Sequence, residues 1–257
     1  MLIAISATTG GYNLSKNRGA RAQRKTDLPS NTIQFQTQTK SRRTPNIIPK
    51  SLNQEKFYLT LCDSTQDIVI ATGPAGTGKT YLAMQMAVRS LQNNDCERIV
   101  LTRPAVGVDD EQHGFLPGNL VSKMEPWTRP LLDVLREYYR PQDIMAMIED
   151  QIIEISPLAY MRGRTFSNAW IIADEMQNST PSQMKMLLSR IGRNSKIVVT
   201  GDVEQTDRKR NDNGLLDIVD RLKDQSVRGI TVCEFAARDI QRHPIIGSVL
   251  KLYAVDD

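Results

Sequence analysis

The chain has few cysteines and no long apolar run, and each shortage removes a class of protein. Cys62, Cys96 and Cys233 are odd in number, far apart and in no metal-ligand spacing. That points away from a disulfide framework or a cysteine metal site and reads as core thiols in a reducing, cytoplasmic compartment. No apolar stretch approaches the roughly 20 residues needed to cross a bilayer, so no membrane span is expected. Met1 to Ser6 is apolar, but it is too short for a secretory leader and has no basic start. The Arg-rich, acid-poor segment after it leaves an organelle transit peptide as an alternative. Internal repeats are absent. What remains is 257 residues, 40% of them hydrophobic, enough for one large α/β domain or two small ones.

The net charge of +4 is unevenly placed. Lys16, Arg18, Arg21, Arg24, Lys25, Lys40, Arg42, Arg43 and Lys50 crowd the first fifth, opposed there only by Asp27. Such a polar, basic segment is not expected to fold alone. Residues 1–45 therefore read as a flexible arm, either a solvated tail or a nucleic-acid-binding element. Residues 46–257 read as the folded domain.

The most informative stretch is Gly73-Pro74-Ala75-Gly76-Thr77-Gly78-Lys79-Thr80, which satisfies G-x-x-x-x-G-K-[ST]. It lies between an apolar run, Asp67 to Thr72, that reads as a buried strand and a segment from Tyr81 to Val88 that reads as a helix. Glycines let successive backbone N–H groups turn around an anion, and the helix N-terminus adds partial positive charge. Lys79 is expected to reach the β- and γ-phosphates of a nucleoside triphosphate, and the Thr80 hydroxyl to hold Mg²⁺. Tyr81 completes the run at the nucleotide.

A second motif closes the argument. Trp170-Ile171-Ile172-Ala173-Asp174-Glu175 is a buried strand ending in two carboxylates. Asp174 is expected to help hold Mg²⁺, and Glu175 to orient and deprotonate an attacking water. An Asp-Glu pair favours hydrolysis over phosphoryl transfer to a second substrate. Next comes a strand from Lys196 to Asp202, whose polar end, Thr200, Asp202 and Gln205, is suited to sensing a γ-phosphate. In open parallel sheets ligands lie off the carboxyl ends of strands. That places Thr102 and Arg103, at the end of a strand from Glu97 to Pro104, within reach of a phosphate; a structural hydrogen bond at the strand end is the alternative.

Other segments read more loosely. Asn53-Gln54 opens an amphipathic helix with Phe57, Leu59 and Leu61; Gln54 is either an adenine-reading amide or a surface residue. Gly114 to Leu120 reads as a rigid loop. Helices from Lys123 to Tyr139 and from Gln142 to Glu149 are expected to break at Pro130 and Pro141. Ile152 to Ile155 is a strand, and Arg162 to Phe166 a basic turn able to touch phosphates. Ser179-Thr180-Pro181 starts a helix with a capping hydroxyl and a Pro at its first position. Gly229 to Phe235 is a last strand, and Ile245 to Tyr253 a last helix. Arg242 is the candidate arginine finger, with Arg238 or a plain surface role as alternatives.

The order of these parts is that of a RecA-like P-loop NTPase core: a mostly parallel sheet flanked by helices in a single α/β domain. The Thr-Gly-Asp-x-x-Gln run resembles that of superfamily-1 helicases. Asn53-Gln54, Leu101 to Val106, Gly114 to Leu120, Met161 to Thr165, Asp174 to Asn178 and Arg242-His243-Pro244 together resemble the PhoH family of phosphate-starvation-associated ATPases. The compact chain is similar to phage-encoded members, which implies a host-cell cytoplasm if that is its source. The resemblance implies ATP and Mg²⁺ as ligands and RNA or single-stranded nucleic acid as partner. It also implies a ring, a homo-hexamer, with the active site between subunits. Some relatives carry a nuclease domain, and the basic arm lacks the clustered acids one would need. A single core offers no second surface to supply an arginine finger, and oligomerisation would provide one.

Overall fold

In the computed structural model of the chain, residues 43–104, 120–206 and 212–241 are described, with 120–127 described by backbone alone. The elements run α1 (Leu52–Cys62), β1 (Ile68–Thr72), α2 (Lys79–Gln92), β2 (Arg98–Thr102), α3 (Leu120–Arg136), α4 (Pro141–Glu149), β3 (Ile153–Ile155), β4 (Ala169–Ala173), α5 (Pro181–Leu188), β5 (Lys196–Gly201), α6 (Gly214–Asp224) and β6 (Ile230–Glu234). The strands form one six-stranded sheet in the order β3-β2-β4-β5-β1-β6, and every pairing is parallel.

Alternation within the strands divides the core into two. Val69, Ala71, Ile99, Leu101, Trp170, Ile172 and Val198 face one side, where α1 to α4 supply Phe57, Leu82, Leu135 and Ile144. Ile70, Val100, Ile171, Ala173, Ile197 and Val199 face the other, met by Met184 and Leu187 of α5 and Leu215 and Val219 of α6. Helices on both faces leave β1 and β4 buried along their whole length. Hence those strands read as continuous apolar runs. The fold is α/β with a single parallel-sheet core, as the sequence predicts.

Local signals set the helix ends. Ser51 caps α1, its Oγ accepting from Gln54 N at 3.2 Å. Thr180 and Gln183 form a reciprocal capping box at α5, with Pro181 in its first turn. Asn213 Oδ1 accepts from both Leu215 N and Leu216 N at 3.0 Å to start α6. That helix is not among the sequence expectations.

Three expectations need correction. Pro130 does not break α3, which runs on to Arg136. Burial of Leu131, Val134 and Leu135 outweighs the hydrogen bond lost at the proline, a penalty of about 3 kcal/mol. Leu59 is 57% exposed, because the buried stripe of α1 runs through Gln54, Phe57 and Leu61 and position 59 falls on the opposite face. Of the three thiols only Cys96 is buried; Cys233 is half-buried and Cys62 exposed. Among the described residues no helix is long and apolar enough to cross a membrane.

Candidate functional site

The sheet order explains the site. β5 lies between β1 and β4, in a register that aligns Ala71 with Thr200 and Ala173 with Val199. The carboxyl ends of three strands therefore arrive together at the N-terminus of α2. Thr80 Oγ1 donates to Asp174 Oδ1 at 2.7 Å, Thr200 Oγ1 donates to the same oxygen at 2.6 Å, and the two hydroxyl oxygens are 3.4 Å apart. Three hard oxygen donors converge from α2, β4 and β5. This set suits Mg²⁺, which takes one or two protein oxygens and completes its shell with water and phosphate.

The Gly73–Thr80 loop is shaped as an anion cradle. Gly73 has φ +130, and a Cβ there would lie 2.3 Å from the Phe235 carbonyl oxygen, so only glycine fits the close passage under β6. Gly78 caps α2 at φ 83 with no side-chain cap, which leaves the first-turn N–H groups of the helix free for a ligand. Thr77 is fully buried, its hydroxyl donating to Pro74 O at 2.9 Å. Lys79 Nζ donates to Gly73 O at 2.6 Å and to Pro74 O at 2.8 Å. Burial pushes the Lys79 ammonium below its ordinary value, while Asp202, Asp174 and Glu175 pull it back up. A poorly hydrated ammonium held only by neutral oxygens has little water to shed when a phosphate takes their place.

A cavity of about 250 Å³ opens over this cradle, lined by Ala75, Gly76, Gly78, Lys79, Thr80, Tyr81, Asp174, Glu175, Gly201, Asp202 and Gln205. A larger groove of about 700 Å³ between α1 and β6 holds none of these residues. Glu175 lines the smaller cavity with φ 55 and ψ 38, a left-handed conformation that non-glycine residues seldom hold. Its carboxylate accepts from Gln177 Nε2 at 2.5 Å. Asp202 is buried, its Oδ1 accepting from Glu204 N at 3.1 Å in the turn that carries Gln205. Tyr81 reaches outward, its hydroxyl donating to Glu137 Oε2 at 2.8 Å.

Two expected site residues lie elsewhere. Gln54 is buried and both ends of its amide are occupied: Nε2 donates to Thr77 O at 2.9 Å, and Oε1 accepts from Lys50 N at 2.7 Å. These bonds describe a brace behind the phosphate loop, not an adenine contact. Arg103 is not among the residues lining the cavity; its backbone carbonyl accepts from Leu158 N at 3.2 Å. Arg242 and the Gly114–Leu120 loop, except for the backbone of Leu120 at the start of α3, lie outside the described residues. Arg238 is exposed in the Ala237–Asp239 turn. The sequence reading missed the bridging role of Gln177, whose one signal is a polar residue in a short buried run after the acid pair.

Comparison with known proteins agrees with this geometry. A family model described as PhoH-like protein matches residues 46–254. The chain belongs to the PhoH family. A PhoH-like protein of Synechocystis is 44% identical over 215 residues, which cover 83% of this chain and 64% of the relative. A PhoH-like protein of Mycobacterium tuberculosis is 46% identical, covering 83% and 60%. Protein PhoH of Escherichia coli is 38% identical over 217 residues, covering 83% and 60%. The chain thus spans just under two-thirds of the length of these relatives. Among solved structures, the Sulfolobus solfataricus SWI2/SNF2 ATPase core in complex with dsDNA is similar at a TM-score of 0.40 and 12% identity, covering 68% of this chain and 36% of that one. That likeness is too slight to bear on function.

Proposed function

We propose that this chain is an Mg²⁺-dependent ATPase whose turnover is coupled to RNA or single-stranded nucleic acid, acting as a homo-hexameric ring. The observation that carries the reading is the meeting of Thr80, Asp174 and Thr200 directly under the phosphate loop, with Glu175 lining the same cavity. In this reading Thr80 and Asp174 hold Mg²⁺, which when bound neutralises charge on the phosphates. Backbone N–H groups of the loop and the Lys79 ammonium fix the triphosphate. Glu175 takes the proton of the attacking water. Thr200, Asp202 and Gln205 follow the γ-phosphate from the end of β5. Residues 1–45 act as the basic arm and 46–257 as the catalytic domain. Arg242 supplies a finger across a subunit boundary, which is the reason for a ring.

The test is steady-state ATP hydrolysis with Mg²⁺, alone and with single-stranded RNA or DNA, using Lys79→Ala as the blank. Stimulation by nucleic acid is expected. It should fall steeply with salt, by roughly 0.7 log units in affinity per log unit of salt for each phosphate neutralised. Turnover that ignores nucleic acid would instead mark an ATP-driven switch acting on a protein partner.

A further inference from the structure

Gln177 is 2% exposed and lies in the short Met176–Asn178 turn just past the acid pair. It is bonded on three sides. Nε2 donates to Glu175 Oε2 at 2.5 Å, Oε1 accepts from Asp202 N at 3.1 Å, and the backbone carbonyl accepts from Thr206 Oγ1 at 3.1 Å. A carboxylate only accepts and a backbone N–H only donates, so the orientation of the amide is forced. One planar group therefore joins the acid beyond β4 to the turn beyond β5. The fit is close: a Cβ on Gly201 would lie 2.5 Å from Gln177 Oε1.

A general base must stand within hydrogen-bond reach of its water, and a displacement of about 1 Å can cost roughly a hundredfold in rate. Glu175 lies past the end of β4 at Ala173, in the left-handed region, and its backbone caps the Met176–Asn178 turn, the carbonyl accepting from Asn178 N at 3.1 Å. That bond fixes the backbone, and the Gln177 amide restrains the carboxylate. It also supplies a link, because its other end holds Asp202, whose carbonyl in turn accepts from Gln205 N at 3.2 Å. Gln205 lines the nucleotide cavity.

We propose that Gln177 is a positioning residue that aims the Glu175 carboxylate and makes that aim depend on the turn following β5. A ligand pressing on Gln205 would move Asp202, and Gln177 would carry the shift to Glu175. The proposal rests on the reading of Glu175 as the base, and the experiment below separates the two.

The experiment measures kcat and KM for ATP, and binding of a fluorescent ATP analogue, in Gln177→Met, Gln177→Glu and Glu175→Gln. Gln177→Met keeps length and apolar bulk but neither hydrogen bond. Its kcat should fall at least about tenfold while KM and analogue binding stay within about threefold, the pattern of a lost transition-state interaction. Gln177→Glu keeps the shape of the side chain but sets an acceptor-only carboxylate where the amide N–H donated to Glu175. Its kcat should fall at least as far as that of Gln177→Met, whereas a residue that merely filled space would tolerate the isosteric change. Retention of kcat within about twofold in Gln177→Met, with hydrolysis abolished in Glu175→Gln, overturns the proposal and spares the base. A rise in KM with kcat unchanged also overturns it, making Gln177 a pocket-shaping residue. Full hydrolysis in Glu175→Gln overturns the base assignment and the proposal with it.

Discussion

Thr80 and Asp174 are 94 residues apart in the chain, yet their side chains meet at 2.7 Å. The contact exists because β5 separates β1 from β4, so the helix that follows β1 and the acid that follows β4 flank one strand end, where Thr200 joins them. Asp174→Asn keeps the shape of this cluster and removes its charge. Phosphate release at saturating ATP should fall roughly 100-fold or more, with the Mg²⁺ concentration for half-maximal rate raised. Nucleotide binding without Mg²⁺ should persist. An unchanged Mg²⁺ titration would remove Asp174 from the metal site.

Gln54 provides a sharper choice between two roles. As a brace on Thr77 O, it acts on the loop and not on the base. Gln54→Ala leaves a buried carbonyl without its donor, a loss of about 1–3 kcal/mol. Affinity for ATP and GTP should therefore weaken by the same factor, measured by titration of each. A loss confined to ATP would restore the adenine contact.

Lys79 makes binding sensitive to pH. Burial lowers its proton affinity in the free protein, and a phosphate beside it would favour the charged form again. Between the lowered value and the ordinary lysine value of 10.5, the free protein carries fewer protons on this group than the complex does. Binding should therefore take up protons just below pH 10.5, seen by calorimetry in two buffers of different ionisation enthalpy. The same shift means that the unfolded chain binds more protons than the native one across that window, so this group's contribution to stability rises with pH there. Lys79→Ala should abolish the buffer dependence. Equal heats in both buffers for the wild type would contradict the account.

Gly73 tests the cradle by stability. Gly73→Ala places a Cβ against the Phe235 backbone at φ +130. The strain should amount to about 2 kcal/mol or more. At this size that corresponds to a melting temperature lower by roughly 4–8 °C in a thermal scan. No change would mean that the loop moves away from β6 at little cost.

Much of this was legible in the sequence, for reasons that are themselves physical. The phosphate loop and the Asp174-Glu175 pair are local patterns attached to buried apolar strands, and parallel sheets force such strands to read as unbroken runs. Thr180-Pro181 announced its helix because capping is a matter of a few adjacent residues. The bond from Gln54 to the Thr77 carbonyl was hidden because the two are 23 residues apart and a carbonyl leaves no trace in sequence. Pro130 misled because a local penalty competes with the burial of Leu131 and Leu135, which only packing reveals. Gln177 was passed over because its second partner, the backbone N–H of Asp202, is 25 residues away and leaves no trace in sequence.

The central claim is that this cavity hydrolyses ATP with Glu175 as base. The most direct measurement is phosphate release from ATP with Mg²⁺ by wild type and Glu175→Gln, beside nucleotide binding by both. The account predicts Mg²⁺-dependent turnover in the wild type and, in the variant, intact binding with turnover reduced by at least about 100-fold. Absence of turnover in the wild type under all nucleic-acid conditions, or full turnover in Glu175→Gln, would contradict it.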